Sequence, residues 1–151
     1  MRVSFVLQNY KIVYITLKYP IKTMTSQGNY ITEQRKENIA WLETFKFYKD
    51  EIKVLRNRLE EVASRNSAKD VKMQISHFEN QFIINDEQID EISHAVKENQ
   101  AKMEQHIHDN PVAVEHRKVE DHTELRDKVN VFENIFKQLR IEFNEFLSKT
   151  M

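Results

Sequence analysis

The chain has 151 residues, enough for one domain with a real core, and it carries one glycine, two prolines and no cysteine. Disulfides, thiolate metal sites and cysteine nucleophiles are thereby excluded, as are phosphate-cradling loops that need several glycines. Basic and acidic residues nearly cancel, 23 against 24, and are interleaved rather than blocked, which leaves no basic footprint for nucleic acid.

Residues 1–23 stand apart. They hold Arg2, Lys11, Lys18 and Lys22 and no acid, a charge of +4 against −5 for the rest of the chain. Val3, Phe5, Leu7, Ile12 and Tyr14 give the segment a β-branched and aromatic character. Two readings are carried forward: the segment lies upstream of a true start at Met24, or it is a strand-like extension. A third, an interfacial anchor, lacks a clean helical moment. A secretory signal fits least, because Gln8, Asn9 and Lys11 break the apolar region and no small-residue cleavage site follows. Residues 24–31 read as a flexible linker.

From there the apolar residues recur in alternating steps of three and four, the pattern of long helices with a narrow seam. The first helix is expected over 32–65, capped by Thr32, with Trp41, Phe45, Tyr48, Ile52, Leu55, Leu59 and Val62 on its seam. Ser67-Ala-Lys-Asp70 resembles a capping box and opens a second helix over 67–108. Its seam runs unbroken from Ala68 to His106 through Ile75, Phe78, Phe82, Asn85, Ile89, Ile92, Val96, Asn99 and Met103. Asp109-Asn110-Pro111 punctuates the chain, and Pro at a first helical position predicts a third helix over 111–149. Its seam is His122, Leu125, Val129, Phe132, Phe136, Leu139, Phe143 and Phe146.

Three long helices of similar length joined by short turns predict an all-α, antiparallel up-down-up bundle with heptad-like packing, with dimerisation as a means of completing its core. Antiparallel register sets Trp41 level with Ile92, Asn99 with His122 and His106 with Glu115. One end is then apolar, broken only at Asn85 with help expected from the Tyr48 hydroxyl. The other is polar, with Gln34, Asn99 and His122 converging in the core.

Four of the six histidines, His106, His108, His116 and His122, crowd that polar end among several carboxylates. Glu91-Ile-Ser-His94 has the ExxH spacing of ferritin-like proteins, and His116 to Glu120 the HxxxE spacing of hemerythrins. Phase opposes both, since His94 and Glu120 point away from the seam. The metal alternative narrows to a single divalent ion at the hairpin tip, held by His106, Glu115 and His108. No nucleophile–base arrangement is visible and no cofactor is expected. The leading expectation is a cytoplasmic helical-bundle protein that is not an enzyme and works through contact with a protein partner or a second copy of itself. Nucleic acid and a transmembrane segment form no part of it.

Overall fold

With no glycine or proline between Ile31 and Asn110, nothing in the backbone interrupts a long helix, and two long helices fill this span. The computed structural model describes residues 29–112, 114 and 117–151. Within them α1 runs Ile31–Arg65, α2 Lys69–Asp109 and α3 Thr123–Thr150. Two short extended pieces, β1 (Asn29–Tyr30) and β2 (Lys118–Val119), pair antiparallel, Asn29 opposite Val119 and Tyr30 opposite Lys118. The expectations for residues 1–23 lie outside the described residues.

The chain directions follow from the side-chain contacts. Lys49 reaches Asp90 at 2.6 Å and Asn38 reaches Asn99 at 2.9 Å, so α1 and α2 run antiparallel. Arg126 meets Glu37 and Arg140 meets Glu51, so α1 and α3 run parallel. Phe78 packs on Phe143 and Asn99 on His122, so α2 and α3 are antiparallel. The architecture is an all-α up-down-up three-helix bundle.

Buried residues alternate in steps of three and four along α3 and recur in steps of three, four or seven on α1 and α2, which holds one side of each helix against the other two. The apolar half is a stack of rings. Phe45 meets Phe132 at 5.8 Å, Phe132 stacks on Phe136 at 5.9 Å, and Phe82 meets Phe143 edge-on at 5.1 Å. Each such ring fully buried contributes about 1.5–3 kcal/mol. Asn85 sits among them, 1 % exposed. Its Nδ2 donates to the Gln81 carbonyl of its own helix at 2.8 Å rather than to Tyr48, and its Oδ1 has no partner. Tyr48 instead lays its ring against Phe136, 4.8 Å away.

Helix starts differ from the sequence expectations, each for a local reason. Neither Thr32 nor Ser67 caps: α1 is entered from Tyr30, with the Ile31 N–H donating to the Arg117 carbonyl at 3.1 Å, and α2 from Ala68 without a side-chain cap. At the first turn Asn66 closes the end of α1, its Nδ2 donating to the Val62 carbonyl at 2.9 Å.

The largest difference is α3, expected from Pro111 and found from Thr123. Asn110 terminates α2 instead of opening the next helix. Residues 117–122 lie as a strap across the bundle end, tied to α1 through the Arg117 and Glu120 carbonyls. Arg117 donates to the carbonyls of His106 (3.3 Å), Asn110 and Val112 (2.7 Å), and so satisfies acceptors left open where α2 ends. The β1–β2 pairing then holds residues 118–119.

Candidate functional site

The polar end is built where the strap, the first turns of α1 and α3, and the later turns of α2 meet. The seam positions of α1 here are polar, Gln34 and Asn38, and both are fully enclosed at 1 % and 0 % exposure. A buried amide needs hydrogen-bond partners. Gln34 Nε2 donates to the Glu120 carbonyl of the strap at 3.0 Å. Asn38 Nδ2 donates to Asn99 Oδ1 on α2 at 2.9 Å, which leaves Asn38 Oδ1 without a partner.

His122 is the residue from which α3 starts, but its ring caps nothing. It turns inward, 4 % exposed, with Nδ1 3.2 Å from Asn99 Oδ1 and Nε2 2.7 Å from Glu37 Oε2. The Trp41 ring lies against it, 5.1 Å between centroids. Asn99 and His122 therefore lie level, as the register implied. Gln34 shares their neighbourhood but bonds to the strap rather than to the imidazole. The partner of Asn38 on α2 lies one turn further along than pairing Trp41 with Ile92 implies.

Arg126, one turn into α3, completes the set. Its Nε and Nη2 clasp the Glu37 carboxylate at 2.7 and 2.8 Å, and Nη1 and Nη2 clasp Asp121 at 2.8 and 3.0 Å. This fork-on-carboxylate geometry is the strong form of an ion pair. Thr123 Oγ1 adds a hydrogen bond to Asp121 at 3.2 Å. Asp121 also precedes the N-terminus of α3, where a negative charge complements the helix dipole.

The local electrostatics follow. Burial on its own pushes the Glu37 carboxyl up, but the hydrogen bonds from Arg126 and His122 outweigh it and hold the group below its ordinary value. The guanidinium of Arg126 likewise lowers Asp121 against a smaller opposing push from burial. Hydrogen bonds from Glu37 and then Asp121 raise Arg126, fixing its charge more firmly still. What the set does chemically is hold: it ties α1, α2, the strap and α3 at one point.

Beside it runs an open groove of about 550 Å³ whose lining includes Gln34, Lys102, Met103, His106 and Asp121. His106, expected on the core seam, lies exposed there. The reason is the late start of α3: among the described residues no turn of the third helix reaches the last turn of α2, so its seam position faces solvent. His108 is exposed too, its side chain at 84 %, with Nδ1 3.3 Å from Asp109. Glu115 and His116 lie outside the described residues. Among the described residues no group of three or more histidines and carboxylates is placed to hold a metal ion. Glu91, His94 and Glu120 are all exposed, and His94 pairs with Glu98 at 3.3 Å.

Of the three charged residues that surround His122, the sequence pattern singles out Asp121 only as one of several carboxylates at the polar end, and Glu37 and Arg126 not at all. A signal for two of them exists: Glu37 and Glu51 stand fourteen residues apart, and so do Arg126 and Arg140. Two heptads on each of two helices is the mark of a repeated pairing, and both pairs form. They sit on the flanks of the seam rather than on it. Among the described residues no helix is long and apolar enough to cross a membrane. Compared with protein-family models, curated proteins and solved structures, the chain matches none of them.

Proposed function

We propose that this is a non-catalytic helical-bundle protein of the cytoplasm that works by protein–protein contact, with a second copy of itself as its first partner. The observation that carries the reading is the outer flank of α1. Phe47 and Val54 stand one heptad apart at 61 % and 57 % exposure. Between them Glu51 pairs with Arg140, whose guanidinium lies 5.7 Å over the Tyr48 ring and 5.2 Å over Phe136. An exposed aromatic and an exposed aliphatic group beside a half-buried arginine are the composition of an interface hot spot. Ile83 does not belong to this patch. It lies one turn from Asp86, on the side of α2 that meets Lys49, whereas Phe47 and Val54 flank Glu51 on the side of α1 that meets α3.

The polar end supports the reading by its chemistry. Both ring nitrogens of His122 and both oxygens of Glu37 are engaged within the fold, which suits a structural role.

Sedimentation equilibrium over a wide concentration range tests the proposal. The expected result is self-association in the native chain that disappears in a Phe47→Asp, Val54→Asp double variant of unchanged helicity. A native chain that stays monomeric at the highest concentration reached, or a double variant that associates as well as the native chain, contradicts it.

A further inference from the structure

The exposed side of α3 next to α1 differs in composition from the rest of the surface. Asn130, Asn134, Lys137, Ile141, Asn144 and Ser148 recur there in steps of three and four, all of them exposed. Lys137 and Asn144 stand one turn to either side of Arg140, which reaches α1, so the strip borders the α1–α3 seam. Lys137 is the only charged residue on it, in a chain whose residues are 31% charged. Depletion of charge, with neutral polar and apolar groups left in place, is the compositional signal of a surface that becomes covered. Phe47 and Val54 flank the same seam from the α1 side, beside Glu51. The two helices therefore present one face.

The ion pairs across the seam fix the heights on that face. Glu37 meets Arg126 and Glu51 meets Arg140, so each residue of α1 lies level with the α3 residue 89 positions further on. Subtracting 89 sets Lys137 level with residue 48, Ile141 with residue 52 and Asn144 with residue 55.

We infer, on the basis of the self-association proposed above, that two copies pair face to face about a two-fold axis parallel to the helices, α1 of each lying on α3 of the other. Such an axis leaves every height unchanged. The partner's Lys137 then comes beside Phe47 and Asp50, an aromatic ring and a carboxylate for a lone cation. Asp50 meets Lys53 through Oδ1, at 2.8 Å, which leaves Oδ2 for it. Val54 meets the partner's Ile141 and the partner's Asn144. By the same rule Lys36 comes within two residues of the level of the partner's Asp127.

Charge separates this arrangement from the alternatives. Laying α1 on α1 about a parallel axis sets Asp50 level with the partner's Asp50 and Glu43 level with the partner's Glu43. Laying it antiparallel, centred between Phe47 and Val54, again brings Asp50 to the partner's Asp50. Like charges set together at an interface are costly.

The chain has no cysteine, so single introduced cysteines report the contacts directly. A Val54→Cys chain and an Asn144→Cys chain, mixed and oxidised, should form a disulfide with each other, and neither should do so alone. Asp50→Cys alone should stay unlinked, because the two copies of this position lie on opposite edges of the interface. In sedimentation, Lys137→Glu should weaken self-association about tenfold, and Asp50→Lys added to the same chain should restore most of it. All four positions are exposed, and unchanged helicity by circular dichroism verifies the fold of each variant. A disulfide in Asp50→Cys alone, the signature of α1 on α1, overturns the arrangement and leaves self-association standing. So does a Lys137→Glu chain that associates as well as the native one, or a loss that Asp50→Lys does not repair. A native chain that does not associate removes both the arrangement and the reading on which it rests.

Discussion

Two glutamate–arginine pairs join α1 to α3, fourteen residues apart on both helices, and their surroundings set them to different tasks. Glu37 and Arg126 meet at 2.7 Å in a forked contact, backed by Asp121 on one side and His122 on the other. Glu51 and Arg140 meet at 3.3 Å, and Arg140 spends its flat face on Tyr48 and Phe136. In the first pair the core beneath is polar, so the charges become part of a network that closes the bundle. In the second the core beneath is aromatic, so the arginine covers rings and leaves Phe47 and Val54 to stand out beside it. The same residue pair is a fastening at one end and a lid over apolar packing at the other.

The largest effect expected from breaking this contrast lies in the aromatic half. Phe136→Ala opens a cavity under Arg140 and should lower the unfolding free energy by about 3–5 kcal/mol in urea denaturation. Next comes Arg126→Ala, which strands two partly buried carboxylates and should cost about 2 kcal/mol by the same measurement. Arg140→Ala, at a longer contact made by Nη1 alone, should cost less than about 1 kcal/mol. In the opposite direction, Asn85→Leu removes a buried amide oxygen that has no partner and should raise stability by about 1 kcal/mol, read as a higher urea midpoint.

The pH dependence sharpens the comparison further. Glu37 and Asp121 both lie below their ordinary values in the folded chain. The stability they contribute is complete above those ordinary values and is lost as pH falls through the lower, folded-state ones. Urea midpoints of the native chain should therefore fall in acid more steeply than those of Glu37→Gln. Parallel acid limbs would remove Glu37 as a source of that loss.

Much of this molecule was legible in its residues. The alternating three–four spacing carries α1, α2 and most of α3, because burial of one stripe per helix is the dominant requirement, and it also brings Asn99 level with His122. What it did not carry is non-local. Asn110-Pro111 is as compatible with ending one helix as with starting the next, and the choice rests on Arg117 reaching back to three carbonyls and on Asn29–Tyr30 pairing with Lys118–Val119. The exposure of His106 follows from that choice and could not be read before it. Glu37 and Arg126 were visible as spacing, but they stand on the flanks, where a reading of seam positions does not look.

The double-mutant cycle between Glu37 and Arg126, set beside the same cycle for Glu51 and Arg140, tests the central claim most directly. A coupling of about 2 kcal/mol is expected for the first pair and of a few tenths for the second. Equal couplings, or a value near zero for Glu37 and Arg126, would contradict the view that the polar end is fastened through these charges.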